Sequence, residues 1–171
     1  ILGFEPDEKI FNKLVANIKL VDDLNNIELR KEAVWIEDTE LSFYSEGGVA
    51  GSSVVDYSNK KNVVKVQAVD LKKHLLQPVD FLKIDIEGAE NQVIFDIAPH
   101  LGTVKNLFLE YHGLTGSSQN LGDVLNVIKE AGFEYYIKLA ADIIKYPYCD
   151  EQKTSFNQQL NIFCYRKKLS V

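Results

Sequence analysis

The stretch Asp80-Phe81-Leu82-Lys83-Ile84-Asp85-Ile86-Glu87-Gly88-Ala89-Glu90 decides the fold of this chain. Side chains alternate along a strand, so an extended segment over 81–86 puts Leu82, Ile84 and Ile86 on one face and Lys83, Asp85 and Glu87 on the other. A lysine and an aspartate two apart in an apolar strand are costly to bury alone, which predicts that they pair with each other or with charges on a neighbouring strand. Gly88 then lets the backbone turn sharply. A helix is expected to start at Gly88 or Ala89, with Glu90 in its first turn, and to stop before Pro99. Asp85 and Glu87 emerge at the carboxyl end of the strand, where ligands bind in open α/β sheets. A buried ion pair and a helix-start acid account for Lys83 and Glu90. They do not account for two more acids at the strand tip, and clustered ionisable groups in a cleft mark function.

On both sides of this stretch short apolar runs alternate with helical patterns, the signature of βαβ units and a mostly parallel sheet of the α/β class. Upstream, residues 1–4 read as a strand ending at Glu5. Pro6 falls in the first turn of a helix in which Ile10, Phe11, Leu14, Val15 and Ile18 recur at helical spacing. A strand around 27–30 follows the turn cluster at 22–26. Over about 35–69, β-like pieces separated by Gly47-Gly48, Gly51-Ser52-Ser53 and Ser58-Asn59 read as a β-rich insertion, a hairpin or flap. Residues 70–76 look like one or two helical turns. Downstream, 104–111 is the next buried strand, and Leu121, Val124, Leu125 and Ile128 lay out an amphipathic helix closed by Gly132. Residues 133–139 and 160–165 are the closing strands, joined by a long irregular loop over 140–159.

Two further positions carry chemistry. Gly3-Phe4-Glu5-Pro6 ends a strand on an acid just before a helix, where a carboxylate accepts both hydroxyls of a ribose. The plainer alternative is that Glu5 caps the helix, favoured there by the dipole. The second is Leu109-Glu110-Tyr111-His112-Gly113, in which alternation puts Glu110 and His112 on one face. If the two strands are adjacent, both approach Asp85. Of the three histidines, His112 is the one at a strand tip, and an ordinary pKa of about 6.5 suits a general base, although a lone histidine is more often structural.

Composition sets bounds. With 171 residues, 46% of them apolar, the chain can bury one sizeable core and is expected to form one domain over 1–171. A net charge of −6 with no Lys/Arg-rich run lacks the footprint of a nucleic-acid binder or a polybasic membrane anchor, so a small-molecule or protein partner is expected. Cys149 and Cys164 have no His or further Cys at ligand spacing, which predicts free thiols, no metal centre and no disulfide framework. No apolar run approaches the roughly 20 residues that cross a bilayer, and no signal-peptide pattern opens the chain, so a soluble, cytoplasmic protein is expected. The opening Ile-Leu-Gly-Phe-Glu, without an initiator Met, reads as a start in mid-element with more chain upstream.

Together these residues resemble the FkbM family of methyltransferases. Gly3-Phe4-Glu5-Pro6, the helix closing on Leu14-Val15-Ala16-Asn17-Ile18, Val69-Asp70-Leu71, the 81–90 stretch, and Glu110 with His112 match that family's pattern in order and spacing. The match runs from residue 1 to about 135, and 81–90 is its most specific part. The resemblance implies a Rossmann-like class I methyltransferase fold, a mostly parallel seven-stranded sheet with an antiparallel C-terminal strand. It implies S-adenosylmethionine as donor and a hydroxyl oxygen of a sugar or other natural product as acceptor. It places Glu5, with Pro6, at the cofactor's ribose, Asp85 beside its methionine end, and Glu110 in the same binding set. His112 or Asp85 then removes the acceptor's proton, with Glu87 in the catalytic group. The family's first strand and glycine-rich loop belong before Ile1, so a longer natural protein is expected. The flap at 47–57 and the loop over 140–159 are expected to shape the acceptor pocket.

Two rival readings remain. Asp85-Ile86-Glu87 is also the Asp-x-Glu arrangement with which certain nucleases hold two magnesium ions, with Asp123 and Asp142 available as further acids. The acidic surface argues against it. The other is a cofactor-binding or interaction module that keeps the fold without turnover.

Overall fold

The structure is a computed structural model describing residues 1–21, 26–44, 63–144, 148 and 156–167. The chain divides into two units, Ile1–Leu71 and Lys72–Val171; among the described residues the first holds two sheets and the second one.

In the first unit β1 (Leu2–Phe4) and β2 (Glu28–Arg30) pair in parallel, Leu2 opposite Glu28 and Phe4 opposite Arg30. Parallel partners need a crossover, which contains α1 (Glu8–Ile18). Its predicted stripe, Ile10, Phe11, Leu14, Val15 and Ile18, is half-buried, while the helical residues between are exposed. Asp7, not Pro6, begins the helix: its Oδ1 accepts from the N–H groups of Lys9 at 2.9 Å and Ile10 at 3.1 Å. Pro6 therefore precedes the cap, because a carboxylate that satisfies two orphan N–H groups claims the cap position. β3 (Ala33–Trp35), β4 (Thr39–Tyr44) and β5 (Val63–Asp70) form a second sheet with β5 central, parallel to β3 and antiparallel to β4. The predicted β-rich segment thus contains real strands. The predicted flap at 47–57 lies outside the described residues.

The second unit carries a four-stranded sheet in the order β6 (Leu82–Ile84), β7 (Asn106–Leu114), β9 (Phe156–Tyr165), β8 (Glu134–Leu139). β6 and β7 are parallel, with Ile84 opposite Leu109, and β9 lies antiparallel between β7 and β8. The antiparallel C-terminal strand is as expected, but it starts at Phe156, so residues 156–159 belong to the ladder and not to a loop. Leu114 faces Phe156 and His112 faces Gln159. Asn157, Gln158 and Gln159 conceal this strand from hydropathy, because backbone pairing with β7 holds it there and not an apolar face.

α2 (Glu90–Asp96) packs on β7 and on α3 (Leu121–Glu130), which also meets β8. Leu107, Leu109 and Tyr111 of β7 are buried while Asn106, Phe108 and Glu110 are not, so the strand alternates as its sequence does. Ile94, Ile97, Ile128 and Ile162 join them in the core, each fully buried. A large apolar side chain buried this way contributes about 1.5–3 kcal/mol, which keeps β7 from slipping in register. Gly132 ends α3 with φ 83°, as expected for a left-handed cap. Arg166 fastens the far end of the sheet by donating to the carbonyls of Val104, Ala131 and Leu101 at 2.9, 2.8 and 2.7 Å. Among the described residues no helix is long and apolar enough to cross a membrane.

Candidate functional site

The site begins where β6 stops. The strand ends at Ile84, two residues earlier than expected, and the chain then passes through Glu87 at φ 54° and Gly88 at φ 92°. A left-handed conformation is natural for Gly88 but costs a side-chain-bearing residue about 1–2 kcal/mol. The alternation that would put Lys83, Asp85 and Glu87 on one face therefore ends with the strand, and the turn, not the pleat, sets the direction of Glu87. Glu90 braces that turn, its Oε2 accepting from the Gly88 N–H at 2.7 Å.

Glu90 is the residue of the cluster that sequence reasoning missed, having assigned it to the helix start alone. It is 1% exposed. Its Oε1 accepts from the backbone N–H of His112 and lies 2.8 Å from His112 Nδ1, so one carboxylate ties the turn, α2 and β7 together. A signal was present: Glu90, Val93, Ile94 and Ile97 follow helical spacing, which puts the acid on the buried face of α2.

His112 lies within β7, two residues before its end, and not at a strand tip. Its side chain is 1% exposed, its carbonyl accepts from Asn91 Nδ2 at 2.8 Å, and Phe156 packs on its ring at 4.9 Å between centroids. Nε2 lies 3.7 Å from Glu87 Oε2 and 3.7 Å from Glu110 Oε1. Burial pushes the imidazole pKa down, but the Glu90 hydrogen bond and the charges of Glu90, Glu87 and Glu110 outweigh it, so the group stands above its ordinary value. Burial lifts the pKa of Glu87, helped by Asp85, Glu90 and Glu110 against the opposing pull of His112. Burial also lifts Glu110, with Asp85 adding to it.

Asp85 closes the cluster at its rim. Lys83 Nζ reaches its Oδ2 at 3.0 Å, so the expected pairing forms. The pair is not a buried one, with side chains 58% and 29% exposed, and such pairs contribute about 0–1 kcal/mol. Parallel pairing of β6 with β7 does bring Glu110 and His112 beside Asp85. Asp85, Glu87 and His112 offer donor atoms within 4.8 Å of one another. Asp123, in the first turn of α3, and Asp142 are exposed and outside this group, so the further acids of a two-ion nuclease are not gathered here.

Glu5 and Pro6 lie in the first unit. Glu5 ends β1, its N–H donating to the Arg30 carbonyl at 3.1 Å and its Oε1 accepting from the Asp7 N–H at 2.8 Å. The capping role belongs to Asp7, which leaves Glu5 half-buried at the strand end. Burial raises its pKa, with the Asp7 hydrogen bond opposing.

The fold and site define a mixed α/β protein with an acid and histidine cluster just past the carboxyl end of β6 and beside the second half of the parallel strand β7. Residues 1–135 match the Methyltransferase FkbM domain, and the chain belongs to that family. Its fold is similar to the crystal structure of methyltransferase FkbM from Methylobacillus flagellatus KT, with a TM-score of 0.59 at 13% identity, covering 96% of this chain and 36% of that one. The chain thus spans little more than a third of that protein's length. Among curated proteins none matches the sequence.

Proposed function

We propose that this protein transfers a methyl group from S-adenosylmethionine to a hydroxyl oxygen of a small-molecule acceptor, a sugar or another natural product, on a Rossmann-like class I scaffold. One observation carries the reading: Asp85, Glu87 and Glu110 gather around His112, where the turn after β6 meets the second half of β7. Membership of the family supports the reaction class.

Methyl transfer to a hydroxyl is an in-line displacement, so the protein must align two reactants in a dry cleft and take up one proton. The bound cofactor supplies the activated methyl group. Burial makes Glu87 and Glu110 stronger bases than ordinary carboxylates, which suits removal of a hydroxyl proton. Asp85, at the rim, is positioned to orient the acceptor or to accept from the cofactor's amino group. Glu90 holds the ring of His112 in one orientation, so that Nε2 faces the cluster. Glu5, with one oxygen fixed by the Asp7 N–H, fits the ribose role, with Pro6 next to it in the chain.

Calorimetry with S-adenosylhomocysteine tests the reading, repeated with Glu5→Ala. Binding to the wild type that the variant loses supports both the cofactor and the ribose assignment. A wild type that does not bind removes the methyltransferase reading.

A further inference from the structure

The hydrogen bonds of His112 leave Nε2 facing two carboxylates. Glu90 accepts from the backbone N–H and meets Nδ1 at 2.8 Å, so the ring hydrogen sits on Nδ1. In the neutral ring Nε2 then carries a lone pair, on a side chain 1% exposed, facing Glu87 Oε2 and Glu110 Oε1 at 3.7 Å each. The two carboxylates favour positive charge at Nε2, yet a proton there would bridge neither closely, because an N–H···O bond needs about 2.7–3.2 Å.

A cation larger than a proton spans these separations better. An ion about 2.0–2.2 Å from each donor leaves neighbouring donors roughly 3–4.4 Å apart, close to the spread of this group. Asp85, Glu87 and His112 bring their donor atoms within 4.8 Å of one another. The carboxylate behind the ring is the second half of the argument: a metal-bound histidine commonly donates its other N–H to a carboxylate, which fixes the tautomer and raises ligand basicity. Glu90 stands in that position. Lys83 holds only Oδ2 of Asp85, at 3.0 Å, and its largely exposed side chain can move aside.

We propose that Asp85, Glu87 and His112 Nε2 bind a divalent cation, with Glu90 as the outer carboxylate that orients the ring. One imidazole with two carboxylates suits an ion of the zinc or manganese class. The ligands come from the turn between β6 and α2 and from β7, with Glu90 from α2. They belong to the cluster on which the methyl-transfer reading rests, but ion uptake is read without cofactor or acceptor, so either reading can fail alone.

Metal-free, untagged protein titrated calorimetrically with zinc chloride, then with manganese chloride, tests the site. The wild type takes up one ion. Glu90→Gln weakens binding by about 10–100-fold, the usual effect of losing an outer carboxylate. The Asp85→Asn/Glu87→Gln double variant loses it further. Asp85 and Glu87 are not partners in the Glu90–His112 bonds, so the double variant keeps that buried pair, and an unchanged circular dichroism spectrum separates lost ligation from lost folding. A wild type that binds neither ion, or a double variant with wild-type affinity, overturns the proposal.

Discussion

Replacing Glu90 with glutamine perturbs the centre of the site while keeping its shape. Oε1 of a glutamine can still accept from the His112 N–H and Nδ1, but its amide nitrogen then confronts the Gly88 N–H, which now donates to Oε2 at 2.7 Å. A buried donor left without an acceptor costs about 1–3 kcal/mol, and exchanging a charge-assisted hydrogen bond for a neutral one costs a comparable amount. The sum, about 2–6 kcal/mol, brackets the usual cost of about 3–5 kcal/mol for removing one partner from a buried charged pair. The loss depends on pH. His112 stands above its ordinary value in the folded protein, so the stability it contributes is complete below the unfolded value of about 6.5 and is lost as pH rises through the folded one. The penalty of Glu90→Gln is therefore largest in mild acid and shrinks above that point. Urea unfolding read by hydrogen exchange of peptides from β7 and β9 measures it within the second unit. A penalty below about 1 kcal/mol, within the range of one ordinary hydrogen bond, or one that grows with pH, refutes the reasoning.

Asp7→Ala removes the cap of α1 and should cost about 0.5–2 kcal/mol, followed by the fluorescence of Trp35, the single tryptophan, which lies in the same unit; an unchanged melting curve would count against the cap. Burial pushes the Cys164 thiol up to about 12, so native protein should resist alkylation at that residue near neutral pH, and peptide mapping should find it modified only after unfolding. Glu87→Gly relieves a left-handed side-chain-bearing residue yet deletes a carboxylate of the cluster, so stability should hold or rise slightly while methyl transfer falls; equal activity in the variant would remove Glu87 from the catalytic group.

Much of the second unit was legible because its signals are local. Alternating apolar residues gave β7, helical spacing gave α3, and Gly132 marked where that helix ends. Two errors share one cause, which is pairing that sequence periodicity does not record. Residues 156–159 look like loop because they are polar, yet they are strand because β7 offers them a ladder. Pro6 looks like a first-turn proline, yet Asp7 displaces it by meeting two N–H groups at once.

The site divides along the same line. That acids collect at the end of a strand, just before a glycine turn and a helix, follows from the order of residues 80–90 alone, since alternation and glycine geometry act over neighbouring positions. That Glu90 and not Asp85 grips His112 follows only from folding, which brings residues 22 apart in sequence within 2.8 Å. Burial supplies the reason: once α2 covers β7, water is excluded from both groups, and each must find its partner in the other.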